Sequence, residues 1–505
     1  MSVKLQERLI LLISVFTGFC VVGVEVTSSR LLAPYFGSSI IVWSGIIGVV
    51  LLSLAIGYYL GGKISERYPS IKVLLKIIFS AGVFFLLVPW IAKPVSFLAN
   101  SGLQASGFNG YFFFSAIFLV ALVLFGIPLI FLGMTSPLMV KIYSLLNGKP
   151  GEAAGQIFAL STMGSVVGTF IPTLILIPNY GTRTTIIIFA GILIILGSFG
   201  FSIKKSVMTL LVLLIILFGL FSFSKNTSTA GIIYQGESAY QFLRVLEDKD
   251  QNRYLLSNEG IGYESIYNKN KALVGTFYDY FNALPILLGS KEADVLVVGL
   301  AGATIPRQMN YFFKDQARID GVEIDSKVID LANKYFDLQN IKMNVINQEG
   351  RMYLTHTSKK YDIIIIDAFQ NELYIPWTLT TAEFWQVVKS KLNNGGIVAI
   401  NINSGAKDSK LFQAITNTQA SVFKNVYLAN SKDQFNSLVV ASDQALDFNK
   451  LATISDKDLA FLATLSKDVV ELSYSKDKMV LTDDRAPTEL MTDKIILNYK
   501  RALAE

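Results

Sequence analysis

The stretch "ADVLVVGLAGATIPRQMNYFFKDQARIDGVEID", residues 293–325, runs an apolar strand, a glycine-bearing turn, a helical stretch and a second apolar strand end to end. Uninterrupted apolar strands belong in a sheet covered on both faces, and parallel strands joined by helices give that arrangement. Reading outward, the alternation continues. "SKVIDLANKYF" reads as a helix, "IKMNVIN" and "YDIIIIDAF" as strands, "TAEFWQVVKSKL" as a helix and "GGIVAININ" as a strand. Upstream, "YQFLRVLEDKDQNRYLLSNEGIGYESIY", from Tyr240, reads as short strands broken by turn residues, a β-hairpin preface.

In open parallel sheets, ligands bind beyond the carboxyl ends of the strands where strand order reverses. The unusual residues stand there. Gly299 and Gly302 follow the first strand and allow a tight turn, although the spacing is not a full G-x-G-x-x-G. Glu323 ends the second strand about two dozen residues later, near the distance at which an acid reaches a ribose hydroxyl pair. Asp325, just before "SKVIDLA", reads as a helix cap. Glu349 follows the third strand, where an acid can accept from an adenine amino group, and Asp367 follows the fourth. No Gly-Lys-Ser/Thr loop is present, so three acids and a glycine turn suit a nucleoside without phosphates, such as S-adenosylmethionine or its decarboxylated form. Asp367 is sited to accept the proton of an attacking amine, or else to cap a loop.

Composition separates this half from the rest. The 505 residues are 52% hydrophobic and 16% charged, with mean hydropathy +0.48. The apolar excess lies before Lys225 and most charges after Tyr234. A transmembrane domain at 1–225 and a catalytic domain at 226–505 follow. Seven runs are long enough to span a bilayer core of about 30 Å: 8–27, 40–62, 72–92, 111–132, 154–177, 184–202 and 206–223. The first lacks a small-residue cleavage site and precedes further spans, so it reads as a retained helix. Glu25 and Arg30 lie at or near its end, where a buried ionisable group costs about 2.5 kcal/mol or more unless it snorkels or finds a partner.

Charge and residue counts narrow the chemistry. The net charge is +6, but the basic residues are scattered and paired with acids, which argues against nucleic acid. Cys20 is the one cysteine and His356 the one histidine. An internal disulfide is thereby excluded, a cysteine zinc cage, a Ser-His-Asp triad or a histidine metal site is not expected, and no metal is expected.

Taken together, "SSRLLAPYFGSS", "IIGVVLLSLAIGYYLGG", "GMTSPL", "ALSTMGSVVGT", then "YQ" (Tyr240, Gln241), "EID", "IIDAF" and "LTDDRAP" resemble the spermidine synthase (aminopropyltransferase) family in its membrane-fused form. The resemblance implies a polytopic helical bundle followed by a Rossmann-like, class I methyltransferase-type domain. It implies that Glu323 binds the ribose, that Glu349 faces the adenine, that Asp367 deprotonates the amine and that Tyr278 lines the active site. Two departures stand out. The family's G-G-G-D-G loop reads Gly299-Leu300-Ala301-Gly302-Ala303 here, and the second acid of its Asp-Ser-x-Asp strand end is Gln370. A polyamine acceptor is therefore in question. Phe369, Tyr374, Trp377 and Trp385 offer either an aromatic acceptor wall or plain packing. Asp483 and Asp484 either close over the pocket and restore acidity or form a solvated turn.

The expectation is an integral-membrane transferase that moves an aminopropyl or related alkyl group to a small amine or lipid-soluble acceptor and releases methylthioadenosine. A methyltransferase on the same scaffold and a non-catalytic carrier or sensor remain open. Lipid contact follows from the helices, and a homodimer is allowed. Ten basic residues against four place the N-terminus on the cytoplasmic side of the cell (inner) membrane. Seven spans would then put the soluble half outside, whereas nucleoside supply favours a cytosolic half; the expectation is a cytosolic half with one run, in the 95–146 region above all, re-entrant or miscounted.

Overall fold

A computed structural model of the chain describes residues 3–36, 40–105, 110–201, 231–258, 262–290, 292–370, 373–403, 409–429 and 436–504. Two compact units emerge: residues 1–230 with 236–241, and residues 231–235 with 242–503.

Helices built from long apolar runs make up the first unit. Five described stretches are long and apolar enough to cross a membrane: Val3–Ala33, Ile40–Arg67, Ile71–Ala99, Phe114–Asn147 and Pro150–Tyr180. The expected count of seven is not met among the described residues. The sixth run forms Thr182–Ser198, whose 17 residues rise about 26 Å, short of a bilayer core; the seventh, 206–223, lies outside the described residues. Single π-turns at Leu122–Gly126 and Pro172–Leu176 interrupt the fourth and fifth stretches. Small residues set the packing. A Cβ on Gly164 would lie 2.0 Å from the carbonyl oxygen of Val15, and one on Gly168 2.4 Å from that of Phe19, so these two helices touch through their backbones. Arg30 donates from its guanidinium to the carbonyls of Ala239 and Tyr240, and Thr182 Oγ1 donates to Glu237 at 2.9 Å, all within this unit.

The second unit opens with a small antiparallel sheet, in the order β1 (Ile232–Glu237), β2 (Phe242–Glu247), β3 (Arg253–Ser257), β4 (Ser265–Tyr267). It is the expected hairpin preface, and its first strand runs from the second unit into the first. Next come β5 (Ala293–Val298), β6 (Ala317–Glu323), β7 (Met343–Asn347), β8 (Tyr361–Ile366), β9 (Leu392–Asn403), β10 (Asn425–Ala429), β11 (Asn436–Ser442) and β12 (Val470–Leu472). They form one sheet in the order β12-β10-β11-β9-β8-β5-β6-β7. The five strands from β5 to β9 are parallel, and β10, β11 and β12 join antiparallel at one edge. This is the Rossmann-like, methyltransferase-type arrangement.

Both faces of the sheet are covered, which explains the run of four isoleucines in β8. Ile363 and Ile365 enter the core on one face, Ile364 and Ile366 the core on the other. The chain leaves β5 towards β6 on one side and returns to β8 on the other. The carboxyl ends of β5 and β8 are therefore the switch point where a ligand crevice opens.

Candidate active site

Gly299 and Asp367 meet at that switch point. Asp367 N donates to the Val298 carbonyl at 2.9 Å, and Gly299 N donates to the Val322 carbonyl at 3.0 Å. Gly299 has φ +89, and a Cβ there would stand 2.3 Å from the Asp367 carbonyl oxygen. No larger residue fits without pushing the two strand ends apart. Beyond Gly299 the loop is tight for a different reason: Ala301 and Ala303 both adopt left-handed backbone, with φ 47 and 62.

Glu323 braces this loop. One carboxylate oxygen accepts from Ala301 N and the other from Asp325 N, both at 3.0 Å. Burial raises its carboxyl above the ordinary range, opposed by these backbone hydrogen bonds. Asp325 caps the following helix through Lys327 N at 2.9 Å. Glu349 is also an N-cap. Its two oxygens accept from Arg351 N at 3.0 Å and Met352 N at 2.7 Å, which fixes the carboxylate at the end of β7 with lone pairs left for a ligand.

Asp367 is half-buried at the end of β8. Asn401 Nδ2, on neighbouring β9, donates to Oδ1 at 3.1 Å. Burial pushes the carboxyl up to about 7, the hydrogen bond from Asn401 opposing it. Tyr278 is buried, with its ring centroid 4.1 Å from that of Phe277, and its hydroxyl donates to the Tyr263 carbonyl at 3.2 Å. Burial, followed by the charges of Asp367, Glu264 and Tyr263, raises the phenol well above its ordinary range. The hydroxyl of Tyr278 therefore stays protonated.

β4 is tied to the glycine loop. Gly302 N donates to Ser265 Oγ at 2.8 Å, and Thr304 Oγ1 both accepts from Ile266 N at 3.0 Å and donates to its carbonyl at 2.9 Å. A Cβ on Gly302 would lie 2.8 Å from both Ser265 Cβ and the Phe336 ring. Gly302 is small so that the loop can pack against β4.

The remaining expected residues divide. Gln370 is exposed, and its backbone exchanges hydrogen bonds with Tyr374 at 2.7 and 3.0 Å, closing a small turn after β8. Asp483 accepts from both terminal nitrogens of Arg351 at 2.7 and 2.6 Å and from Thr381 Oγ1 at 2.7 Å. The Arg351 guanidinium holds its carboxyl below the usual range. Asp484 is exposed beside it. Tyr240 and Gln241 pack with the first unit, in the turn after β1, where the Gln241 carbonyl accepts from Ser238 N at 2.8 Å.

An aromatic wall does not assemble from all four candidates. Trp385 is fully buried in the core with its Nε1 donating to the Thr380 carbonyl at 3.2 Å, and Tyr374 is buried with its hydroxyl donating to Asp493 at 2.6 Å. His356 lies on an exposed helix face, its Nδ1 2.8 Å from the Met352 carbonyl oxygen. Among the described residues no group of acids, histidines and cysteines is arranged to hold a metal ion. Asn401 and Tyr263 were missed by sequence reasoning. Cross-strand register brings Asn401 to Asp367, and a hairpin edge brings the Tyr263 carbonyl to the Tyr278 hydroxyl; neither juxtaposition leaves a mark in the local sequence.

Residues 279–432 match the spermine/spermidine synthase domain. A probable polyamine aminopropyl transferase of Bifidobacterium longum is 35% identical over 195 residues, covering 38% of this chain and 43% of that protein. The polyamine aminopropyltransferase of Vibrio vulnificus is 26% identical over 296 residues, covering 57% of this chain and 96% of the other. Polyamine aminopropyltransferase 2 of Aquifex aeolicus is 20% identical over 424 residues, 80% of each chain. The chain spans less than half the length of the Bifidobacterium relative.

Proposed function

We propose that this chain, whose C-terminal domain is spermidine synthase-like, is a membrane-bound aminopropyltransferase that uses decarboxylated S-adenosylmethionine as donor and a small or lipid-soluble amine as acceptor. The observation that carries the reading is Asp367, a carboxyl held at the switch point with its pKa pushed up to about 7, inside the stretch that matches the family. A group that titrates near 7 is suited to take a proton from an amine.

In the proposed step the acceptor nitrogen forms a bond to the propyl carbon attached to the sulfonium. The carbon–sulfur bond breaks, and its electron pair stays on sulfur as the neutral thioether of methylthioadenosine. The proton lost by the nitrogen goes to Asp367. Asn401 fixes the orientation of that carboxylate by its hydrogen bond to Oδ1. Glu323 would hold the ribose, Glu349 the adenine, and Gly299 would let the ligand approach the strand ends. Tyr278, neutral and buried, would form the wall beside the reacting carbon. Most of the rate would come from holding amine and carbon in line.

The five long apolar helices support a membrane location, with the soluble half on the cytosolic side where nucleosides are supplied. Protease protection of the soluble half in right-side-out vesicles is the expected result; cleavage from outside would reverse that orientation.

Mass spectrometry of the nucleoside product tests the chemistry. Purified protein given decarboxylated S-adenosylmethionine and a mixture of amines should release methylthioadenosine. Release of S-adenosylhomocysteine from S-adenosylmethionine instead would make the protein a methyltransferase.

A further inference from the structure

The motif "LTDDRAP", residues 481–487, has no part in the scheme above, yet it meets the segment that carries Glu349. Asp483 accepts from both terminal nitrogens of Arg351 at 2.7 and 2.6 Å, a bidentate, charge-assisted pairing. That carboxylate is itself held in place. Asp483 N donates to Glu383 Oε2 at 3.0 Å, and Thr381 Oγ1 donates to Asp483 Oδ1 at 2.7 Å. Arg351 also donates to the Thr378 carbonyl at 3.0 Å, in the stretch of chain between Asp367 and the helix that begins at Ala382.

Arg351 starts beside Glu349 and points elsewhere. Its backbone N–H donates to Glu349 Oε1 at 3.0 Å, so the carboxylate touches the root of the arginine side chain. The guanidinium goes to Asp483 instead. Among the described residues Glu349 has no ion pair, and its carboxylate accepts only from the backbone N–H groups of Arg351 and Met352. Two carboxylates are thus placed to compete for one guanidinium. A carboxylate that pairs with a guanidinium has fewer lone pairs and less negative charge left for a ligand. Because Arg351 and Asp483 neutralise each other, Glu349 keeps both. The Arg351–Asp483 pair is partly exposed and contributes little to stability, so its effect falls on the site.

We propose that Asp483 is a positioning residue of the donor site: it holds the Arg351 guanidinium away from Glu349 and keeps that carboxylate available to the amino group of the nucleoside's base. This rests on the reading of Glu349 as the acid that holds the adenine. Asp483 acts through Arg351, and the strap at the C-terminal end of the chain thereby sets the selectivity for an aminated purine.

The test measures, by calorimetry on the full-length protein in detergent, the affinities for methylthioadenosine and for methylthioinosine, in which an oxygen replaces the amino group. A hydrogen bond to a charged group predicts that wild type prefers methylthioadenosine by about tenfold or more. Asp483→Ala removes both acceptors of the guanidinium, and the preference should fall at least about threefold through weaker methylthioadenosine binding, with methylthioinosine binding little changed. Asp483→Glu keeps the charge and should keep the preference. The double variant Arg351→Gln/Asp483→Ala has no guanidinium to turn on Glu349, so the preference should return, which a merely structural loss would not allow. A preference in Asp483→Ala equal to that of wild type overturns the proposal alone. A double variant as unselective as Asp483→Ala also overturns it, since the loss would then come from the strap and not from the freed guanidinium. A wild type that binds the two nucleosides alike, or neither, overturns the reading of Glu349 and the proposal with it.

Discussion

Asp367 ionises against the pull of its surroundings, and that has consequences for both stability and rate. A carboxyl whose pKa is raised by folding binds its proton more tightly in the folded chain. Its charged form therefore costs stability as pH rises from about 4 through about 7. Replacing it with asparagine removes that cost and keeps an oxygen to accept from Asn401. Asp367→Asn should melt higher than wild type at pH 8, and its advantage over wild type should shrink towards pH 5, as read by thermal unfolding in detergent. The same variant should lose at least about a hundredfold in kcat, the usual scale of a positioned general base. In wild type, kcat/KM should climb through pH 7 as Asp367 ionises. A flat profile between pH 6 and 8 would remove it from proton transfer. Asp367, Glu323 and Glu349 were legible in the sequence because strand ends in a parallel sheet are where ligands bind. That Glu323 and Glu349 already brace backbone N–H groups was less visible, since capping depends on where each helix begins. The Asp325 cap was readable from the helical pattern that follows it.

At the scale of elements, the glycine loop carries strain that the sequence shows only in outline. Ala301 has φ 47, a conformation that costs a residue with a Cβ about 1 kcal/mol. Ala301→Gly should therefore stabilise the soluble unit by roughly that amount, measured by denaturant unfolding, offset in part by greater freedom of the unfolded chain. A destabilised variant would mean that the methyl group's packing outweighs the backbone strain. The strap 481–485 is held differently. Arg351, whose helix starts at the Glu349 cap, grips Asp483 with both terminal nitrogens, yet the side chains are 21% and 41% exposed. Partly exposed pairs contribute about 1 kcal/mol or less. Asp483→Asn should leave global stability nearly unchanged while raising hydrogen exchange in residues 481–486; protection equal to wild type would show that Thr381, together with Glu383, whose Oε2 accepts from Asp483 N at 3.0 Å, suffices. The sequence suggested a choice between a lid and a solvated turn for this strap. Its ion-pair partner is more than a hundred residues away, and composition offers no signal for such a pairing.

For the whole molecule, the division into an apolar helical part and an α/β part was the strongest signal, because hydropathy and strand–helix alternation each extend over hundreds of residues. The number of spans was the weak point. An apolar run of about 20 residues marks a helix well but does not fix how much of it crosses, and Thr182–Ser198 shows how a qualifying run can give a shorter helix. The five long helices predict that the protein stays in the membrane pellet after alkaline carbonate extraction; release into the supernatant would contradict membrane integration. Helix contacts made through Gly164 and Gly168 predict that Gly168→Leu lowers the melting temperature in detergent, since its Cβ would meet the backbone of Phe19. An unchanged melting temperature would show that the two helices can separate freely.

The most direct measurement follows the transferred carbons. Decarboxylated S-adenosylmethionine labelled in its aminopropyl chain is supplied with a set of diamines to wild type and to Asp367→Asn. The expected result is label in an enlarged amine together with one unlabelled methylthioadenosine per transfer from wild type, and at most about a hundredth of that rate from the variant. Label that stays with the nucleoside in wild type, or that reaches the amine equally fast without the Asp367 carboxylate, would contradict an aminopropyl transfer centred on this residue.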